Sequence, residues 1–190
     1  MKQGLLLIDI QNDYFPGGAM ELAGMEAAAA KAARLLARFR TVAGPVYLVQ
    51  HLATRPGATF FLPGTTGAEI HGSVAPAPGE PVITKHFPNS FRETDLLAML
   101  HRDGVEQLVI AGAMSHMCID ATTRAAFDLG FSCTVVEDAC ATRDLDFKGE
   151  LIKAREVHGA FMAALQMVYA EVLAAEEFRL NTSRQPIDTR

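Results

Sequence analysis

Leu108-Val109-Ile110-Ala111-Gly112-Ala113-Met114-Ser115-His116-Met117-Cys118-Ile119-Asp120 is an apolar run that narrows into small residues and then turns into a helix with a cysteine near its start. Residues 108–111 leave no polar face for solvent, which is the pattern of a fully buried β-strand. With Ser115 as the N-cap, Cys118 takes the third helical position, and the Ser115 hydroxyl accepts a backbone N–H bond. Unpaired N–H groups and the positive end of the helix dipole then surround the sulfur. That lowers a thiol pKa and favours the nucleophilic thiolate. The same N–H groups are able to hold an oxyanion. The alternative is a cysteine that packs as a small hydrophobe.

Strands and helices alternate on both sides of this turn. Residues 4–10 read as a buried strand with Asp9 at its carboxyl end, where a carboxylate is costly unless paired. Residues 25–40 are Ala-rich with Leu35, Leu36 and Phe39 in helical register, and Gly44-Pro45 stops that helix. Residues 46–50 form a second buried strand ending at His51. The stretch 53–81 is long, irregular and rich in Gly, Pro and Thr, and such loops are usually functional. Phe15, Phe60, Phe61 and His51 are candidate pocket walls there, and His71 reads as a surface or capping residue rather than a ligand. Residues 81–84 form a short third strand followed by Lys85. A helix over 94–101, a fourth strand over 107–111, the helix through Cys118 to Leu129, and a fifth strand over 131–136 follow. Residues 137–142 read as a loop, 150–169 as a last long helix, and 171–173 as a sixth strand. Residues 179–190 are a polar tail, so a single domain spans 1–178.

The chain has 190 residues, of which 49% are hydrophobic and 21% charged, enough for one domain with a sizeable core. The net charge is −5 without a basic run, which excludes nucleic acid and anionic membrane as natural partners. Cys118, Cys133 and Cys140 lack the spacing of a metal site or a disulfide framework, so reduced thiols in a cytoplasmic protein are expected. There is no leader-like segment and no apolar run of membrane-spanning length.

Continuously apolar strands alternating with helices predict a three-layer α/β/α fold. Its sheet is doubly wound and Rossmann-like, with about six mostly parallel strands. Ligands in such folds bind beyond the carboxyl ends of the strands. Asp9, Lys85 and Cys118 all fall there, which raises each above a solvated strand end or a loop cap. The chain has no dinucleotide fingerprint, no phosphate-binding P-loop and no G-x-S-x-G elbow.

The chain resembles the isochorismatase-like cysteine hydrolases, a superfamily that includes nicotinamidases, N-carbamoyl amide hydrolases and isochorismatases. The matching pieces are Leu-Leu-Ile-Asp-Ile-Gln-Asn-Asp-Tyr-Phe (6–15), Pro-Gly-Thr-Thr-Gly-Ala-Glu-Ile (63–70), Lys85 with Asn89-Ser90-Phe91, Gly-Ala-Met-Ser-His-Met-Cys-Ile-Asp-Ala-Thr-Thr-Arg-Ala-Ala (112–126) and Glu-Asp-Ala-Cys-Ala-Thr (137–142). The resemblance implies that Asp9, Lys85 and Cys118 form a catalytic triad. It also implies a cis peptide at Ala113–Met114 that sets the Met114 N–H beside the Cys118 N–H as an oxyanion hole. Lys85 then favours the thiolate, while Asp9 shuttles the proton and later activates water. The implied reaction is hydrolysis of an amide or carbamoyl C–N bond of a small molecule, through a thioester-type intermediate. A homo-oligomer is expected, and His116 joins the candidate pocket.

Two departures narrow this. Nicotinamidases hold a metal with an Asp-x-His pair after the second strand, and here the pair reads Val49-Gln50-His51. No metal or other cofactor is therefore expected. Isochorismate-cleaving members generally lack the cysteine, so Cys118 disfavours vinyl ether hydrolysis. That activity and a non-catalytic binding or scaffold role stand as the alternatives.

Overall fold

The computed structural model describes residues 1–181. In chain order the elements are β1 (Gln3–Ile8), α1 (Met25–Thr41), β2 (Val46–His51), β3 (Val82–Lys85), α2 (Leu96–Arg102) and β4 (Gln107–Ala113). Then come α3 (Asp120–Asp128), β5 (Ser132–Ala141), β6 (Leu145–Phe147), β7 (Glu150–Ile152), α4 (Ala154–Gln166) and β8 (Glu171–Leu173). Six strands form one parallel sheet in the order β3-β2-β1-β4-β5-β8, and β6 and β7 form a separate antiparallel hairpin. No helix among the described residues is long and apolar enough to cross a membrane.

The sheet is covered on both faces. Alternate residues of β1 divide between two cores, as strand geometry requires. Leu5 and Leu7 pack with the apolar stripe of α1, from Ala28 to Phe39. Leu6 and Ile8 pack with Leu96 and Leu100 of α2, Ala126 of α3 and Met162 and Leu165 of α4. Each such aliphatic side chain taken fully from water contributes about 1.5–3 kcal/mol, and this drives the layering.

β1 lies between β2 and β4, so the strand order reverses there and opens a crevice at the carboxyl ends. β1 and β4 run close, with Ile8 paired to Gly112. Gly112 sits at φ +131°, and a Cβ there would collide with the Ile8 backbone. Only glycine fits this approach.

Three elements differ from the sequence reading. β5 continues through 137–141 instead of ending in a loop. Its register against β4 jumps from Ile110–Val135 to Gly112–Cys140, a bulge that absorbs the extra residues and lets pairing resume. The last helix starts at Ala154, not 150. Ahead of it Lys148 and Gly149, at φ +57° and +84°, make a tight two-residue connection between β6 and β7. Glu156 then boxes the Lys153 backbone, and the Asp144 carboxylate takes the Ala154 N–H at 2.7 Å, fixing the helix start. Finally, Ser115–Ile119 form a π-helical turn ahead of α3. At the chain end, Phe178 is buried and stacks on Phe39, and the Asn181 N–H donates to Gln3 Oε1 at 2.7 Å. The remainder of the polar tail lies outside the described residues.

Candidate active site

β1, β3 and the turn after β4 deliver Asp9, Lys85 and Cys118 to one buried point. Asp9 leaves β1 at φ +53°, a left-handed backbone that short polar side chains tolerate better than most. Such outliers persist where the surrounding structure holds them, commonly at functional sites.

Lys85 is the centre of the cluster and is wholly buried. Its Nζ lies 2.8 Å from Asp9 Oδ2, 3.0 Å from His51 Nδ1, 3.1 Å from Phe87 O and 3.2 Å from Cys118 Sγ. An ammonium has three protons for these four neighbours, so one is always under-served. The contact with Asp9 is the shortest of the four, an ion pair between two wholly buried groups. Burial opposes the Lys85 charge, yet Asp9 and then Cys118 overcome it and hold the ammonium above its ordinary pKa.

The thiol does not behave as the sequence reading expects. Burial foremost, and then the Asp9 carboxylate, push the Cys118 thiol well above its ordinary pKa, while Lys85 pulls it down without prevailing. Cys118 therefore rests as a thiol beside a carboxylate able to take its proton. Nor does Ser115 cap the helix. Met114 holds the N-cap position with no side-chain bond, and the Ser115 hydroxyl points to Ala141 O and His158.

The Ala113–Met114 peptide is cis. The Met117 and Ile119 N–H groups both donate to Met114 O, bracketing Cys118. The Met114 N–H has no acceptor among the described residues and stays available to a ligand.

His51 is held by its backbone. Gln11, wholly buried just past β1, donates to His51 O at 2.9 Å and accepts from the His51 N–H at 2.7 Å. Burial above all lowers His51 to about 4. The ring is neutral at pH 7, its Nδ1 accepts from Lys85, and its Nε2 carries the proton.

Asp9, His51 and Cys118 offer ligand atoms all within 4.8 Å of one another, a spacing that suits a metal ion. Lys85 Nζ already contacts all three, so a divalent cation would have to displace a wholly buried ammonium. These residues do not fit a resident metal.

The aromatic residues sort differently from the sequence expectation. Phe15 stacks on His71 at 3.6 Å and belongs to the core, and His71 Nδ1 caps the following turn. Phe61 packs at 4.5 Å on Tyr14 and at 5.9 Å on the His51 ring, and Phe60 leans on both Phe61 and Tyr14. Asp13 pins this wall, since its carboxylate accepts the Phe61 N–H at 2.6 Å and the Ala19 N–H at 3.2 Å. Tyr14, five residues past Asp9 and not among the pocket residues expected from the sequence, joins this wall. Burial, then Cys118, Asp9 and Asp13, keep its phenol protonated. His116 turns instead toward Thr142 Oγ1, at 2.6 Å, and Phe161. The Asn89-Ser90-Phe91 motif serves as a strut. Thr122 Oγ1 on α3 accepts the Ser90 N–H at 3.0 Å, which ties the loop after Lys85 to the helix after Cys118.

The site is thus a cysteine, a lysine and an aspartate gathered at the carboxyl edge of a doubly wound parallel sheet. Residues 3–177 match the isochorismatase domain, and the chain belongs to that family of hydrolases. It is 54% identical over 178 residues to the uncharacterized isochorismatase family protein YddQ of Bacillus subtilis (strain 168), covering 94% of this chain and 99% of that one. It is 32% identical over 159 residues to the maleamate amidohydrolase of Pseudomonas putida, covering 76% and 75%. The solved structure of an isochorismatase-type hydrolase from Oleispira antarctica superposes with a TM-score of 0.89 at 55% identity, covering 93% and 95%.

Proposed function

We propose that the protein is a cysteine amidohydrolase that cleaves a C–N bond of a small amide or carbamoyl compound. The observation that carries this reading is the buried contact of the Cys118 thiol with Lys85, itself paired to Asp9. The family relationship to a maleamate amidohydrolase supports it. A nucleophile beside a base and a cation suits acyl transfer, whereas protonation of a vinyl ether needs no thiol.

Burial of the thiol close to the Asp9 carboxylate favours the following order of events. Sγ attacks the substrate carbonyl carbon as its proton passes to Asp9, so no free thiolate accumulates in the buried site. The carbonyl oxygen becomes an oxyanion held by the backbone N–H groups of Met114 and Cys118. Asp9 returns the proton to the leaving nitrogen as the C–N bond breaks, which leaves a thioester on Cys118. Asp9 then takes a proton from water, whose oxygen attacks the thioester, and the acid departs as Sγ is reprotonated. Lys85 keeps a positive charge against Asp9 and Sγ while negative charge moves between them. Tyr14, Phe60, Phe61 and His51 shape a wall suited to a compact or aromatic acyl group.

A panel of primary amides and carbamoyl compounds tests the reading. Turnover should fall by roughly 10⁴-fold or more in Cys118→Ala, and severely in Asp9→Asn. Full turnover in Cys118→Ala, or pyruvate release from isochorismate, would overturn it. The same reading describes a cytoplasmic homo-oligomer that needs no cofactor. Its expectations are a light-scattering mass above that of one chain and turnover that survives a chelator.

A further inference from the structure

Ser115 opens the π-turn that carries Cys118, is wholly buried, and has no task in the chemistry above. Its Oγ lies 2.8 Å from His158 Nδ1 on α4 and 3.2 Å from Ala141 O at the end of β5. The other nitrogen of that ring, Nε2, lies 3.4 Å from Glu137 Oε2 on β5. Serine, imidazole and carboxylate stand in a row, the order that elsewhere activates a serine nucleophile. Ser115 cannot serve as one, because no part of it reaches solvent and its oxygen already faces two partners.

We propose that His158 is a positioning residue for Cys118, acting through Ser115. A carboxylate only accepts, so the nitrogen facing Glu137 carries the proton. The Ser115 hydroxyl has one proton for Ala141 O and His158 Nδ1, and either assignment keeps the serine bonded to the ring. This bond joins the turn after β4 to α4, and Glu137 and Ala141 anchor the same row to β5. Only His116 and Met117 separate Ser115 from Cys118, so a displacement at Ser115 passes directly to the sulfur. The proposal rests on Cys118 being the nucleophile.

His158→Leu, His158→Asn and Ser115→Ala test it, read by amide turnover and by iodoacetamide alkylation resolved for each cysteine. Leu removes both nitrogens, whereas Asn keeps a polar atom near the Nδ1 position. His158→Leu is expected to lower kcat roughly 10- to 100-fold, the usual scale for a reacting group displaced by about an ångström. KM should stay within about twofold, the mark of an interaction that matters after binding. Alkylation of Cys118 should change while that of Cys133 does not, and Asn should recover most of both. Ser115→Ala should match His158→Leu, with no further loss in the double variant. Equal kcat and alkylation in His158→Leu and wild type overturn the proposal. So do equal losses in Leu and Asn, or additive losses in the double variant. If His158→Leu does not fold, His158→Asn is compared with His158→Gln, which imitates Nε2 instead. Asn near wild type with Gln impaired supports the proposal, and any other order overturns it. If wild type turns over no amide, the proposed function fails, while the alkylation series still decides the positioning role.

Discussion

Cys118 and Cys133 sit in the same core layer, 4% and 7% exposed. Burial raises both thiols, Cys133 to about 12. The difference lies in what each sulfur meets. Among the described residues, the polar partners of Cys133 Sγ are backbone carbonyls, Phe131 O at 3.7 Å and Thr123 O at 3.9 Å. Cys118 Sγ faces an ammonium at 3.2 Å and a carboxylate in the same cluster. Burial alone makes an inert cysteine. On the proposed mechanism, a nearby proton acceptor and a fixed cation make one that loses its proton when a substrate arrives.

The largest expected effect breaks the charged side of that contrast. Lys85→Met leaves Asp9 buried without its counter-charge, which costs about 3–5 kcal/mol for a buried pair. Urea unfolding at neutral pH reads the loss, and turnover should collapse with it. Adding Asp9→Asn should recover part of the stability and none of the activity. A Lys85→Met protein as stable as wild type would refute the charged pair.

A smaller effect sharpens the electrostatics around the same ammonium. His51 is held at about 4, below the value near 6.5 of an unfolded chain. The unfolded state therefore binds more protons between those values, so stability is complete above about pH 6.5 and falls as pH drops toward 4. His51→Gln lacks this slope. The stability of wild type minus that of the variant should fall between about pH 7 and pH 5, as measured by denaturant titrations. A constant difference would mean that His51 is not held neutral.

The smallest effect falls on the inert partner in the comparison. Cys133→Ala removes one buried sulfur from the core and should cost about 1 kcal/mol. Turnover should be unchanged. A loss of activity there would undo the distinction between the two cysteines.

The local pattern of residues already carried much of this. Leu5 to Ile8 and Leu108 to Ala111 are apolar without interruption, and only a strand covered on both faces suits such a run. Strand, helix and turn are set by neighbours a few residues apart, so the parallel sheet and the placing of Asp9, Lys85 and Cys118 at strand ends could be read directly. The errors arose where local signals competed. The helix expected from 150 starts only at Ala154, because the Lys148-Gly149 turn, with both residues at positive φ, pairs 150–152 as a strand with 145–147. Residues 137–142 read as a loop, but a bulge keeps 137–141 in the strand.

Long-range packing settled the rest. A lysine at the end of a strand reads as a solvated residue, yet Lys85 is sealed in by Asp9, His51 and Cys118, brought from three other segments, and by Phe87 O of its own loop. The direction of the Cys118 pKa follows from the same enclosure, because the cost of a charge depends on surroundings that are distant in the chain. Ser115 has the residue type of a helix cap, but its partner His158 is 43 positions away. Hydrogen-bond capacity belongs to a residue type, whereas the partner that uses it exists only once the chain has folded.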